Sequence, residues 1–303
     1  MYRTVLGVLL LAASVVACTA GEASRSGETP DLPRPVETEA STSTSPPGTL
    51  PPTTTSTMAV ATTTSLPPGV TPPPGWLGTR VLPLRDDGFG QILPTPPEMV
   101  DRRLVTADLL PPPRGMEFEW TLTPVPEEVL ARSSWTPACP VGAADLSYLT
   151  VTFWGFDQRP HTGEIIVDAA HGEAVVEVFR TLYDSRFPIE EMRVIRAEEI
   201  DAPPTGDGNT TSAFVCRSVS GSTSWSMHAY GLAIDINPFH NPYLRGDVVL
   251  PELASAYTDR TDVRPGMIEP GDAVVEAFAA IGWQWGGDWT SLKDWMHFSA
   301  NGR

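Results

Sequence analysis

The stretch that decides the fold lies at residues 226–237 and reads Ser226-Met-His228-Ala-Tyr-Gly231-Leu-Ala233-Ile-Asp235-Ile-Asn237. Its second half alternates large aliphatic residues with small or polar ones, which is the period of a half-buried β-strand. We expect one face of this strand to enter a core with Leu232, Ile234 and Ile236. The opposite face should be open and carry Ala233, Asp235 and Asn237. The pattern therefore predicts a strand that presents the Asp235 carboxylate on an accessible surface.

A second segment of the same kind is Asp294-Trp-Met-His297-Phe298 near the end of the chain. With the first segment it offers His228, Asp235 and His297 as metal ligands, and it also supplies the carboxylate of Asp294. A mononuclear zinc hydrolase needs three protein ligands, an open position for water and a nearby base. The two segments therefore predict cleavage by zinc-activated water, with Asp294 as the general base.

The spacing within the first segment shows how its two ligands could meet. His228 and Asp235 are seven residues apart, unlike the histidine pair on one helix that many zinc proteases use. A turn at Tyr230-Gly231 followed by a strand can still direct both side chains to one metal. Two other interpretations stay open: the histidines could be core residues hydrogen-bonded to Asp235 and Asp294, or Ser226 could be a nucleophile. No order of base and acid supports a serine enzyme, so we expect Ser226 to form hydrogen bonds within the loop.

The paired motif resembles the zinc D-alanyl-D-alanine carboxypeptidase family, the VanY-like metallopeptidases related to the L-alanyl-D-glutamate endopeptidases. The similarity extends from about Cys139 to Phe298, with Asn209-Thr-Thr-Ser-Ala-Phe214 before the first motif and Trp283-Gln-Trp285-Gly-Gly-Asp-Trp289 before the second. The resemblance implies that His228, Asp235 and His297 bind one Zn²⁺ per chain and that Asp294 is the catalytic base. It also implies that Arg217 stabilises a substrate carbonyl or carboxylate. Many members have Glu where this chain has Asp294, whose shorter side chain requires a closer approach.

The resemblance also implies a function, namely hydrolysis of peptidoglycan stem peptides. D-alanyl-D-alanine carboxypeptidase activity is the first hypothesis, and L-alanyl-D-glutamate endopeptidase activity is the alternative with the same chemistry. A third hypothesis is a non-catalytic, zinc-stabilised module that binds the cell wall. Asp294 disfavours this hypothesis, because a structural zinc needs no base.

The candidate substrate-binding residues are Arg217, Ser226, Tyr230 and Trp285. The aromatic residues near the motifs could line a peptide groove or form its packed wall; they are Trp225, Tyr230, Trp283, Trp285 and Trp289.

The N-terminal part of the chain differs in composition from the rest. Residues 1–18 have a short basic start, an apolar run and then Val15-Val-Ala17-Cys18, which resembles a lipoprotein signal with Cys18 as the acylated residue. An ordinary signal peptide with an incidental Cys18 is the alternative. Residues 19–75 are rich in Thr, Ser and Pro, and we interpret them as a disordered tether. The sequence thus predicts an extracytoplasmic protein that is anchored to the membrane by lipid and faces the cell wall.

The net charge limits the classes of binding partner, and the cysteine content predicts a disulfide. The formal net charge of −17 argues against binding to nucleic acid, so an anionic substrate must be held by specific cations. Only Cys139 and Cys216 remain once Cys18 is assigned to the lipid, and in an exported protein we expect them to form a disulfide rather than two thiols. We expect a monomer whose partners are the peptidoglycan peptide and, through its anchor, the membrane.

The fold class follows from elements that are interspersed without a regular βαβ rhythm. Strands are predicted at 148–154, 163–168, 192–196, 232–237 and 296–299, and helices at 126–131, 169–183 and 272–281. Residues 76–130 are rich in proline, and we expect an irregular wrapping segment there, followed by a single catalytic domain at 131–303. We predict an α+β fold with a mainly antiparallel sheet and flanking helices. The family resemblance implies the hedgehog/D-Ala-D-Ala-peptidase-like form of that class.

Overall fold

The computed structural model describes residues 65–302. The predicted signal segment with Cys18, and the predicted tether up to residue 64, lie outside the described residues. Ordered structure already includes residues 65–75, where Val70 is buried and Thr71 bridges to Leu104. Within the described part of the chain, no helix has the length and apolar character needed to cross a membrane.

The strands are mostly short, and nearly all pair in antiparallel fashion. In chain order they are β1 (Trp120–Pro124), β2 (Leu146–Trp154), β3 (Pro160–Asp168), β4 (Glu191–Met192), β5 (Thr210–Thr211), β6 (Ala233–Asp235), β7 (Tyr243–Arg245), β8 (Val248–Leu250), β9 (Gln284–Trp285), β10 (Lys293–Asp294) and β11 (His297–Ser299). They form three antiparallel sheets with the orders β1-β2-β3, β10-β7-β8 and β6-β11-β9, and β4 pairs with β5 in parallel.

The helices are few. They are α1 (Glu127–Arg132), α2 (Gly172–Asp184) and α3 (Ala273–Ala280), with 3₁₀ turns at Pro97–Met99, Ala143–Asp145, Ala197–Glu199, Met227–Tyr230, Ser255–Tyr257 and Gly286–Asp288. The described residues are therefore a mixed α and β fold with several antiparallel sheets, which confirms the predicted class at that level. The three predicted helices are present within a few residues of their expected bounds.

The main core lies between the β1-β2-β3 sheet and the two longer helices. Val175 and Phe179 of α2 are buried against Leu149 of β2, as the helical spacing of its apolar residues predicts. The Asp272 carboxylate caps α3 by accepting from the backbone N–H groups of Val274 and Val275 at 2.9 and 3.0 Å. This core supports the sheet that carries the candidate site.

An aromatic stack connects α3 to the strand of the last histidine. The rings of Phe278 and Phe298 are stacked with their centroids 4.0 Å apart. Both side chains are fully buried. Because Phe298 follows His297 directly, this contact holds β11 against α3 and fixes the strand that presents the histidine.

The open face predicted for 232–237 is mostly covered, which corrects that part of the sequence analysis. Ala233 and Asn237 are both fully buried. The backbone of Asn237 is in the left-handed region with φ 44°, and its amide donates to the Pro188 carbonyl at 2.8 Å and accepts from the Glu190 N–H at 3.2 Å. Only Asp235 remains partly accessible on that face.

Two further element predictions differ from the structure. The strand predicted at 192–196 ends at Met192. Beyond it, the Arg193 guanidinium donates to both carboxylate oxygens of Glu199 at 2.8 Å, in the turn at Ala197–Glu199. The segment 76–130 is irregular only in its first part, since β1 lies within it and pairs with β2 from Trp120↔Val151 to Pro124↔Ser147. The alternation Trp120-Thr-Leu-Thr is a strand signal that the prediction overlooked.

A buried ion pair holds the irregular segment against the rest of the fold. Arg102 is 2% exposed, and its guanidinium donates to both carboxylate oxygens of Glu190 at 2.8 and 2.6 Å. It also donates to the Asp207 carbonyl at 2.7 Å, while the Arg102 backbone N–H donates to the Tyr257 hydroxyl at 2.9 Å. A buried arginine with this many partners links four separate parts of the chain.

We predict that Arg102→Met lowers the free energy of unfolding by about 3–5 kcal/mol, because it leaves the Glu190 carboxylate buried without its counter-charge. Urea denaturation measures the change. The adjacent substitution Arg103→Met is the matched control, since Arg103 pairs with Asp101 at the surface and its loss should cost less than about 1 kcal/mol. Equal effects of the two substitutions would contradict the anchoring role of Arg102.

Candidate metal centre

The pairing of β6 with β11 determines the geometry of the site. Its register places His297 directly opposite Asp235, and Phe298 opposite Ile234. Residues opposite each other in an antiparallel pair point to the same face of the sheet. The His297 Nδ1 and the Asp235 Oδ1 are accordingly 3.0 Å apart.

A tight turn before β6 brings in the second histidine. The 3₁₀ turn Met227–Tyr230 begins at Ser226, whose hydroxyl accepts from the His228 N–H at 3.3 Å. It ends at Gly231, where φ is +69° and an added Cβ would lie 2.5 Å from the Asp168 nitrogen, so only glycine fits. This turn directs the His228 side chain towards Asp235, with Nε2 and Oδ2 3.2 Å apart.

The three side chains form a compact group of metal-ligand type. One ligand atom from each of His228, Asp235 and His297 lies within 4.8 Å of the others, and the two ring nitrogens that face each other are 3.2 Å apart. His228 Nδ1 donates to the Ala213 carbonyl at 2.6 Å, which leaves its Nε2 lone pair directed at the centre of the group. Two imidazoles and one carboxylate are a donor set that fits a divalent transition metal.

The charges within this group favour an ionised carboxylate. Burial alone would disfavour the charged form of Asp235, but the imidazoles of His228 and His297 hold the pKa of that carboxyl well below its usual range. Asp235 therefore offers a negative charge to a bound cation at neutral pH.

Asp294 lies beside the group on a different sheet. It ends β10 and pairs with Tyr243 of β7. Burial and the charge of Asp235 raise the pKa of Asp294 to about 7, against the lowering effects of His297 and Arg217. Its buried Oδ1 has no hydrogen-bond partner among the described residues. A cation held by the ligand group would lower this pKa again, because it favours the charged form.

Arg217 is held near the site by a crosslinked loop. The predicted disulfide is present between Cys139 and Cys216, with the Cα atoms 5.8 Å apart. The Cys216 N–H donates to the Ser134 hydroxyl at 3.0 Å, and the Ser226 N–H donates to the Arg217 carbonyl at 3.2 Å. The backbone on both sides of Arg217 is thus fixed, and its charge is close enough to lower the pKa of Asp294.

A cleft of about 1300 Å³ opens onto these residues. Its lining contains the three ligand residues, Asp294, Arg217 and Ser226. Four aromatic side chains also line it, namely Phe89, Trp225, Tyr243 and Trp289. The remaining histidines, His161, His171 and His240, do not line the cleft; His161 and His240 are buried elsewhere in the fold.

Two predicted substrate-binding residues lie outside this cleft. Trp285 is 4% exposed and donates from its indole nitrogen to the Trp295 carbonyl at 2.8 Å. It pairs with Phe298 across β9 and β11, so it shares the core face of the sheet rather than the face of His297. Trp283 is also buried in the core, whereas Tyr230 is partly exposed but does not line the cleft. Of the aromatic residues considered from the sequence, Trp225 and Trp289 line it.

Other cleft residues were not predicted from the sequence. Tyr243 and Arg245 line the cleft from β7, and Asp87 and Phe89 line it from the irregular segment. A signal for β7 and β8 exists, because two short runs rich in aliphatic and aromatic residues flank Gly246-Asp247, which is typical of a hairpin. Nothing in the local sequence indicates that residues 87 and 89 reach this region.

The ligand set, the adjacent carboxyl group and the cleft are together compatible with a metal-dependent peptidase. Residues 220–300 match the family model described as D-alanyl-D-alanine carboxypeptidase. The match includes His228, Asp235, Asp294 and His297, and it begins after Arg217. The resemblance seen in the paired motif is therefore confirmed for this segment. Searches of curated proteins and of solved structures give no match to the chain.

We predict that the metal-free protein takes up one divalent transition metal per chain. Asp235→Asn should weaken this binding by more than about 100-fold, because it removes a charged ligand, and loss of a supporting residue alone costs 10- to 100-fold. Equilibrium dialysis with elemental analysis measures the affinity. Asp288→Asn is the control, since Asp288 is exposed and outside the cleft. Undiminished uptake by Asp235→Asn would contradict the assignment.

Proposed function

We propose that this protein is a zinc-dependent peptidase that hydrolyses peptidoglycan stem peptides, in the first instance a D-alanyl-D-alanine carboxypeptidase. The observation that carries the proposal is the convergence of His228, Asp235 and His297 with Asp294 in one cleft, within the segment that matches the family model. We also infer the hedgehog/D-Ala-D-Ala-peptidase-like form of the fold from the same match.

The metal in this proposal is a single Zn²⁺ held by the two imidazoles and the Asp235 carboxylate. Nitrogen and oxygen ligands of this number are typical of catalytic zinc sites, which keep a position open for water or substrate. When bound, zinc polarises the scissile carbonyl and makes a water molecule more acidic.

Asp294 moves the proton in the proposed reaction. It accepts the proton from the attacking water and later gives it to the leaving amine, which requires a carboxyl group that can exist in both forms. The buried position and the Oδ1 without a partner among the described residues support this role. Gly286 packs directly against the Asp294 backbone, because a Cβ there would lie 2.5 Å from the Asp294 carbonyl oxygen.

Arg217 offsets negative charge on the substrate. Its guanidinium lines the same cleft as Asp294, on the loop that the disulfide crosslinks. We propose that it binds the carbonyl under attack or the terminal carboxylate of the peptide. Both roles need hydrogen-bond donors in a fixed arrangement. The planar guanidinium of arginine provides this arrangement, whereas the ammonium group of a flexible lysine does not.

Cleavage at a peptide end is favoured by the description of the matching family model as D-alanyl-D-alanine carboxypeptidase. Asp87 and Phe89, which come from the irregular segment, add to the cleft lining. The non-catalytic alternative does not explain Asp294, because a purely structural metal site does not need a second carboxyl group that is not a ligand.

The proposed location is outside the cytoplasm, at the membrane and facing the cell wall. The disulfide between Cys139 and Cys216 supports an oxidising compartment. Lipid attachment at Cys18, a tether that extends no further than residue 64 and a monomeric state complete this proposal. The net charge of −17 supports the absence of nucleic acid from its partners.

We predict that Asp294→Asn lowers kcat/KM on a D-Ala-D-Ala peptide by about 100- to 10,000-fold, because the amide cannot accept the proton. Its metal content should equal that of the wild-type protein, since Asp294 is not one of the three ligand residues. Asp288→Asn serves as the control and should retain full activity. An Asp294→Asn protein that hydrolyses the peptide normally would exclude the proposed base.

Defined muropeptides distinguish the possible scissile bonds. The purified protein is incubated with them in the presence and absence of a chelator, and the products are weighed by mass spectrometry. Loss of one D-Ala supports the carboxypeptidase, whereas separation between L-Ala and D-Glu identifies an endopeptidase. Absence of any chelator-sensitive product would contradict both activities.

A further inference from the structure

One wall of the cleft is a single face of the β10-β7-β8 sheet. The register pairs Asp294 with Tyr243 and Tyr243 with Leu250, and the next row contains Arg245 opposite Val248. Side chains alternate between the two faces of a strand, so residues two apart share a face. These five residues all line the cleft, whereas Leu244 and Lys293, which alternate with them, do not.

Arg245 therefore lies one row beyond Asp294 on the same wall. It is two residues from Tyr243 along β7, a separation of roughly 7 Å in an antiparallel strand. The turn that follows contains only Gly246 and Asp247, and Gly246 has φ +60°, which suits the glycine-first form of a two-residue hairpin. The short turn fixes the register and hence the face on which Arg245 lies.

The side chain of Arg245 has no ion-pair or hydrogen-bond partner among residues 65–302, and it is exposed to the cleft. Two acids lie close by in the structure, Asp87 in the cleft lining and Asp247 in the turn. Both pair with Arg85, each at 3.0 Å from the same guanidinium nitrogen. Both carboxylates are thus engaged by Arg85, and neither forms an ion pair with Arg245 among the described residues.

Arg245 thus brings a positive charge to the cleft of a strongly acidic chain. Of the residues that the structure describes, Arg217 and Arg245 are the only arginines or lysines in the lining of this cleft. The chain as a whole has a net charge of −17. Long-range attraction of an anionic peptide is therefore weak, and recognition must come from these local charges. Arg217 is already assigned to the reacting carbonyl or the terminal carboxylate.

We propose that Arg245 binds a second carboxylate of the substrate, carried by a side chain about two residues from the scissile bond. An extended peptide advances about 3.3 Å per residue, so a distance of roughly 7 Å along the wall corresponds to two residues. The guanidinium fork matches a carboxylate with two parallel hydrogen bonds. This inference rests on the proposed function and makes the preferred substrate a peptide with an acidic residue third from its carboxyl terminus.

The test compares two synthetic peptides that end in D-Ala-D-Ala and differ only in the preceding residue, which carries a side-chain carboxylate in one and the corresponding carboxamide in the other. For the wild-type protein we expect kcat/KM to favour the carboxylate peptide by on the order of tenfold. Arg245→Gln should reduce this ratio to about one. Arg114→Gln is the matched control, since it removes the same charge from an exposed arginine outside the cleft and should preserve the ratio.

Binding of the same peptides to the Asp294→Asn protein, measured by calorimetry, separates this inference from the proposed function. Selective binding of the carboxylate peptide that Arg245→Gln abolishes supports the inference even if no peptide is cleaved, in which case only the proposed activity fails. Equal binding and equal cleavage of the two peptides, with or without Arg245, would overturn the inference and leave the activity intact. A protein that neither binds nor cleaves either peptide contradicts both.

Discussion

The antiparallel pairing of β6 with β11 is the constraint on which the site depends. It joins two segments that are 62 residues apart at Asp235 and His297 and places both side chains on one face. The turn at Met227–Tyr230 can then add His228 with only local structure, because Gly231 permits the sharp reversal. The stack of Phe278 on Phe298 keeps β11 in position from the core side. A slip of one residue in this pairing would separate the ligands.

Other parts of the structure place the remaining cleft residues beside the β6-β11 strand pair. Asp294 ends β10, and the short connection to β11 keeps it beside the ligands. The disulfide at Cys216 fixes the backbone next to Arg217. The buried pair of Arg102 with Glu190 secures the irregular segment, whose residues 87 and 89 reach the cleft. Asp294 and Arg217 are thus attached to parts of the chain that are held by strand pairing and by the disulfide.

The sequence predicts the candidate metal ligands more completely than it predicts the residues that surround them. Alternation along 232–237 identifies the side of the strand that carries Asp235, but burial of Asn237 depends on contacts with residues near 188, which no local pattern contains. Trp285 belongs to a motif near His297, yet its pairing with Phe298 turns it into the core. Asp247 pairs with Arg85 and not with Arg245, and this contact joins residues about 160 positions apart that no local pattern connects.

Two of the candidate ligands, Asp235 and His297, lie on the β6-β11-β9 sheet, whereas the cleft wall lies on the β10-β7-β8 sheet. Exchange of residues in the hairpin of β7 and β8 would therefore leave the candidate ligands in place. For the proposed peptidase, this hairpin is a part of the cleft where substrate preference can change while the residues assigned to the reaction are retained. Related chains with the same ligand spacing should accordingly differ most at the positions equivalent to Tyr243, Arg245 and Val248, and a protein engineer could alter selectivity there without rebuilding the reactive centre.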